Sequence, residues 1–261
     1  MTHGSDDVHP FLPTLSRSAA ARLTLVVLAV LFVGLALVIG ELTVREHLWW
    51  AEDQVRSRQV FDAGLAHAAL TPVAEWIGHV TVPTVLRIVT LVAAVLLWRR
   101  GRRDLALWWA ITMLVAGAVA IGSRYAVARD RPHWPGSGPP VEGFTFPSGH
   151  ATNAAVFAGC VLVLLWPRLG GLLRAVGVLL ALLFAVAVAA SRVVVGVHRI
   201  SDVVAAWAVA AALLSASLAV AADPRVHSRL ARRRVGASRP EPMSTTTGGP
   251  ARRARPPARR R

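Results

Sequence analysis

Residues 203–222 read VVAAWAVAAALLSASLAVAA, twenty positions without a charge, closed by Asp202 on one side and Asp223 on the other. A helix of that length rises about 30 Å, the thickness of a bilayer's hydrocarbon core, and pairs its own backbone groups without water. The stretch reads as a membrane-spanning helix. Working outward, four more uncharged intervals of similar length stand at 23–40 (between Arg22 and Glu41), 105–123 (Asp104 and Arg124), 151–167 (His150 and Arg168) and 175–191 (Arg174 and Arg192). A sixth runs from Val82 to Trp98, interrupted only by Arg87, whose long side chain can snorkel to the interface. The segment Gln59 to Val80 carries Asp62, His67, Pro72 and Glu75, too many polar groups for a lipid-facing span, and is read as an interfacial or re-entrant helix. The expected fold is all-α: a polytopic membrane protein with six transmembrane helices.

The composition agrees. Of 261 residues 54% are apolar and 16% charged, and a mean hydropathy of +0.51 coexists with a net charge of +15, so apolar and charged residues are segregated into blocks and a soluble globule is excluded. All 29 basic residues are arginines. The lone Cys160 excludes an intrachain disulfide, a zinc cluster or a CxxC pair. With the N-terminus inside, 20 of the 29 arginines fall on the cytoplasmic side, so the positive-inside rule favours cytoplasmic N- and C-termini. Trp49, Trp50, Trp98, Trp108, Trp109 and Trp166 fall near span ends, where interfacial belts or plain packing both account for them. Residues 1–22 are too polar, and lack an evident A-x-A site, to be a cleaved signal peptide, and form a cytoplasmic tail; 23–222 form the membrane domain. From Asp223 onward 12 arginines stand against two acids, a charge of +10 in an Arg/Pro-rich tail (223–261) expected to be disordered. That tail either fixes topology or is drawn to anionic lipid head groups. No internal repeat and no nucleic-acid partner are read.

Three polar stretches interrupt the apolar blocks: Arg124 to Arg131-Pro132, Pro147-Ser148-Gly149-His150, and Ser191-Arg192 with His198 and Asp202. They close span three, open span four and bridge spans five and six, so parity places all of them on the face opposite the N-terminus. Arginines, two histidines and a carboxylate meeting at one membrane surface suit a multiply charged anion. Ser148, Gly149 and His150 open a helix, where free N–H groups and the positive end of the dipole favour phosphate. Arg124, Arg131 and Arg192 supply forked donors to nonbridging oxygens. If the sixth helix begins near His198, that residue and Asp202 share a face; the carboxylate then fixes a tautomer that leaves the other imidazole nitrogen free to attack. His150 is available as general acid. Arg129, Asp130, His133 and Arg199 read as loop charges, Ser191 as packing or a cap, and Arg87 as snorkelling or a contact to a second phosphate.

Taken singly these fragments are ordinary; in this order the sequence resembles the type 2 phosphatidic acid phosphatase family, whose site is written K-x6-RP, PSGH and SR-x5-H-x3-D. Here the three read Arg124-x6-Arg131-Pro132, Pro147-Ser148-Gly149-His150 and Ser191-Arg192-x5-His198-x3-Asp202. The resemblance spans about residues 23–222 and departs at Arg124, where the family usually has Lys, in a chain that uses no Lys. It implies a metal-free, cofactor-free phosphatase in which His198 is transiently phosphorylated, Asp202 orients it and His150 protonates the leaving group. Arg124, Arg131, Ser148, Gly149 and Arg192 would hold the phosphoryl oxygens. The implied substrates are lipid phosphates or diphosphates in a bacterial plasma membrane, met at its extracytoplasmic face: undecaprenyl diphosphate, phosphatidic acid, phosphatidylglycerol phosphate or diacylglycerol pyrophosphate. A lipid phosphotransferase using the same site is the near alternative. A lipid transporter or scramblase is the distant one, disfavoured because the charges sit at span ends rather than the bilayer midplane. The related vanadate haloperoxidases are soluble, which the spans exclude.

Overall fold

The computed structural model describes residues 19–44, 48–137 and 141–223, all of their regular structure helical. In chain order the helices are α1 (Ala19–Val44), α2 (Leu48–Ala66), α3 (Leu70–Val80), α4 (Pro83–Arg99), α5 (Arg103–Val127), α6 (Gly149–Leu165), α7 (Gly171–Val194) and α8 (Ile200–Ala221), with a 3-10 turn Trp166–Arg168 after α6. The helices α1, α5, α6 with its following turn, α7 and α8 are each long and apolar enough to cross a membrane. The pair α3 and α4 meets the same test together but is bent by 42° at the break, a broken span or a re-entrant loop, so the described residues carry five such spans, or six if the bent pair is one. The chain is a multi-pass, all-helical membrane protein over its described residues.

The break follows from the sequence. Pro83 sits in the first turn of α4, where its missing N–H leaves no bond unmade but where it cannot continue α3. One reading needs correction here: 59–80 is not a single interfacial helix. It divides into the end of α2 and all of α3, separated at 67–69, with Pro72 inside the first turn of α3.

Helix α6 is the centre of the bundle, packed on α4, α5, α7 and α8, while α1 lies along α8 and α3 along α7. Close approach is bought by small residues: Ala151, Ala154 and Ala158 on α6 and Ala205, Ala206, Ala208, Ala210 and Ala212 on α8 are buried, with Ala151 and Ala206 in one apolar cluster. Between α4, α5, α6 and α7 a second cluster gathers Leu86, Trp109, Met113, Val156, Cys160 and Val188. Trp109, placed by sequence near a membrane interface, is therefore a core residue. Leu23, Val30, Leu37, Leu91, Leu172 and Leu180 are exposed on α1, α4 and α7, as lipid-facing surface requires. Residues 1–18 and 224–261, hence nearly all of both expected tails, lie outside the described residues; α1 already begins at Ala19.

Candidate active site

The C-terminal ends of α5 and α7 and the N-terminal ends of α6 and α8 come together, bringing the three polar stretches to one end of the bundle. Ser148 is the N-cap of α6, with Gly149 its first residue. The Ser148 backbone N–H donates to the carbonyl oxygen of Asp202 at 3.1 Å, which ties the second stretch to the third.

His198 is 2% exposed and precedes α8 rather than opening it: the helix starts at Ile200 with Arg199 as its cap. Asp202 is the third helical residue, and its Oδ2 accepts the Arg199 backbone N–H at 2.8 Å, half of a capping box. The expected direct contact between carboxylate and imidazole is long, 3.5 Å from Nδ1 to Oδ2. Thr145 stands between them, its Oγ1 2.8 Å from His198 Nδ1 and donating to Asp202 Oδ2 at 2.6 Å. The threonine has one proton and gives it to the carboxylate, so Nδ1–H donates to Thr145 and Nε2 carries the lone pair. Burial, above all, holds the His198 imidazole below its ordinary value; Asp202 opposes that shift, while Arg131 and Arg124 add to it. A neutral imidazole with a bare, oriented nitrogen is a nucleophile or a base. The loop that carries it is fixed from behind. Gly196 has a left-handed φ of 76°, and a Cβ there would lie 2.8 Å from the Phe61 ring.

Asp202 has a further partner that the sequence reading placed among loop charges. Ala128, in the left-handed region at φ 49°, ends α5. The next residue, Arg129, is 6% exposed and donates to Asp202 Oδ1 at 2.6 Å, Ser201 Oγ at 2.7 Å and Asp53 Oδ2 at 2.8 Å. Asp53, on α2, also accepts the Ser201 N–H at 3.0 Å and the Ser201 hydroxyl, and Ser57 on the same helix accepts the Ile200 N–H at 2.9 Å. One guanidinium is thus held between two buried carboxylates, with hydrogen bonds filling their remaining lone pairs, the condition under which such a group is tolerated in the interior. Arg199 is likewise buried, donating to the Asp130 carbonyl at 2.8 Å. Asp130 and His133 are exposed, as loop charges.

The three arginines expected at an anion each touch backbone carbonyls instead of carboxylates. Arg124 Nε donates to Pro147 O at 3.5 Å, Arg131 to Val197 O at 3.0 Å and Glu142 O at 3.4 Å, and Arg192 to Ala74 O at 2.9 Å. None has a carboxylate within ion-pair distance among the described residues, and their charge is met only at longer range, by Asp202 at Arg124 and Arg131 and by Glu75 at Arg192. Ser191 Oγ accepts Arg192 Nε at 3.1 Å. Two glycines make room: a Cβ at Gly149 would collide with the Arg124 guanidinium, and one at Gly78 with that of Arg192. The Ser148 hydroxyl is buried with no hydrogen-bond partner, an orphan that a bound oxygen would satisfy.

A cavity of about 610 Å³ opens here, lined by Arg131, His150 and Arg192 and, from α3, by Glu75, Gly78 and His79. Arg124, Ser148, Gly149, His198 and Asp202 are not among its lining residues. The His150 ring lies against the Gly78 backbone within the field of Arg192, His198 and Arg124. Arg87 packs on Gly117 of α5 and does not line this cavity. No group of three His, Cys, Asp or Glu is placed to hold a metal ion among the described residues.

Sequence reasoning missed Asp53, Thr145, Arg129 and the α3 wall. Thr145, three residues before Ser148, lies just outside the motif; Asp53 lies in an unassigned polar segment 76 positions from Arg129, with no local signal.

Fold and site together define a polytopic helical membrane protein with an arginine- and histidine-lined pocket where helix ends meet. Residues 105–224, the segment that carries all three motifs, match the PAP2 superfamily. The fold is similar to that of a transmembrane PAP2 type phosphatidylglycerolphosphate phosphatase from Bacillus subtilis, at 22% identity and a TM-score of 0.61, covering 72% of this chain and 93% of that one. No curated protein matches the sequence significantly.

Proposed function

We propose that the chain is a membrane phosphatase that hydrolyses a lipid phosphate through a phosphohistidine. The observation that carries this reading is the set of three guanidiniums, none ion-paired to a carboxylate among the described residues, around a buried imidazole whose Nδ1 is tied to Thr145. In the first step His198 Nε2 attacks phosphorus, a P–N bond forms, and the P–O bond to the lipid breaks as His150 gives its proton to the leaving oxygen. In the second, water attacks the phosphohistidine, its proton passes to His150, and the P–N bond breaks to release phosphate. Arg124, Arg131, Arg192 and the Ser148 and Gly149 N-terminus of α6 neutralise the charge on the equatorial oxygens. Asp202, fixed by Arg129, Thr145 and the Arg199 N–H, stabilises the imidazolium-like phosphohistidine. No step calls for a metal or an organic cofactor.

The arginine distribution supports a site at the extracytoplasmic end of the bundle. Similarity in fold to a phosphatidylglycerolphosphate phosphatase supports phosphatidylglycerol phosphate as the first substrate to try. The test is phosphate release by purified, detergent-solubilised protein and by His198→Ala, with EDTA present, on phosphatidylglycerol phosphate, phosphatidic acid and undecaprenyl diphosphate. Release by wild type alone is expected. Comparable release by a folded His198→Ala protein would refute the mechanism, and metal-reversible inhibition would refute its metal independence.

A further inference from the structure

The wall of the cavity facing the arginines comes from α3, outside every motif and outside the segment matched to the superfamily. Glu75, Gly78, His79 and Val82 recur at a spacing of three and four, so they form one face of this helix and its end, and all four line the cavity. That face is held to the site at two points. Arg192 donates to the Ala74 carbonyl and lies over Gly78, and the His150 ring rests on the Gly78 backbone. Glu75 is exposed, and it is the carboxylate whose charge reaches the Arg192 guanidinium. The groups around it in the cavity are Arg192 and Arg131, with His150, His79 and His133.

A carboxylate at the mouth of a phosphate pocket is unfavourable for the group being bound unless it faces a different part of the substrate. His150 locates that part. As the proton donor to the leaving oxygen it marks where the lipid departs, and it lies against α3 three residues from Glu75. From this geometry we infer that Glu75 is a specificity-determining residue, admitting a phosphomonoester, whose leaving oxygen is carried by an alcohol, and opposing a diphosphate, whose leaving group is itself an anionic phosphate. A neutral alcohol carrying hydroxyls also offers the carboxylate a donor. This inference rests on the phosphatase reading above and deepens it.

The experiment compares phosphatidic acid with diacylglycerol pyrophosphate, which share a diacylglycerol and differ by one phosphate, in wild type, Glu75→Gln and Glu75→Ala. Wild type is expected to prefer the monoester. Both variants are expected to raise kcat/KM for the diphosphate relative to the monoester by about tenfold at low ionic strength, as removal of one adjacent like charge requires, with the gain shrinking as salt is added. An unchanged ratio in a wild type that hydrolyses either lipid overturns the role of Glu75 and leaves the phosphatase reading standing. Equal losses on both substrates overturn it too, since they would mean that Glu75 only orients Arg192. Wild type inert on both lipids and on phosphatidylglycerol phosphate overturns the phosphatase reading and this inference with it; activity on phosphatidylglycerol phosphate alone keeps that reading, and variants that then gain no hydrolysis of diacylglycerol pyrophosphate overturn the inference.

Discussion

Replacing Thr145 by Val removes one hydroxyl from between His198 and Asp202 while keeping the shape of the side chain. Two hydrogen bonds go with it, at 2.8 Å to Nδ1 and 2.6 Å to the carboxylate, in a place where Thr145 and Asp202 are 0% exposed and His198 2%. A bond to a charged acceptor contributes about 1.5–3 kcal/mol and a neutral one about 0.5–1.5 kcal/mol, and leaving Nδ1–H unpaired in the interior adds to the loss. Direct repair is limited, because Nδ1 starts 3.5 Å from Oδ2 and must move to close that gap. The net loss in stability is expected to be about 2–3 kcal/mol. If about half of it is felt in the transition state, where the imidazole becomes cationic, kcat falls by about fivefold to tenfold. The assay is initial-rate phosphate release in detergent micelles, with thermal unfolding followed on the same preparations. Thr145→Ser should recover most of the activity. Combination with Asp202→Asn should be less than additive, since both changes strike one relay. A Thr145→Val protein with wild-type kcat and wild-type melting, or full additivity with Asp202→Asn, would refute the relay.

Arg129→Met leaves Asp53 and Asp202 facing each other without their cation, and should destabilise the protein by about 3–5 kcal/mol, read as a lowered melting temperature that Asp53→Asn partly restores; unchanged melting would remove Arg129 from the frame of the site. For pH, burial lowers the His198 value below that of a free imidazole, so the ring stays neutral to lower pH in the folded protein. The acid limb of kcat/KM is therefore expected below the ordinary histidine value of about 6.5. By linkage His198 favours the folded state fully above that value and progressively less as pH falls through it toward the folded pKa, because only the unfolded ring then takes up a proton. An acid limb at or above that value would contradict the buried, neutral nucleophile.

The spans were readable because charge is confined to their ends: Asp202 and Asp223 bracket α8 to within two residues of its observed limits. The break between α3 and α4 was foreshadowed by Pro83 and by the polar residues of 59–80, yet their division into two helices depends on packing against α7 and the loop before α8. Within the site, the motif residues reach one end of the bundle because helix parity puts them there. What the sequence could not disclose are the residues that act through tertiary contacts. Arg129 looks like any basic residue beside Asp130, and only the turn at Ala128 sends it inward. Helical spacing suggested a face shared by His198 and Asp202; the first lies before α8 and the second is in its first turn, and Nδ1 and Oδ2 stand 3.5 Å apart. Glu75 was noticed as a misplaced charge in an apolar region, without the wall it belongs to.

Asp53 has consequences for the order in which the protein is made. It stands 76 positions ahead of Arg129 and 148 ahead of Ser201, so its carboxylate leaves the ribosome long before either partner. Until α5 delivers the arginine and α8 the serine, α2 carries an uncompensated acid that is better left in water than drawn between helices. The last span to be inserted is the one that closes the ring around it. Insertion of α8 and completion of that frame are then the same event, and a nascent chain that stops short of α8 has its arginines in place around an unfinished pocket.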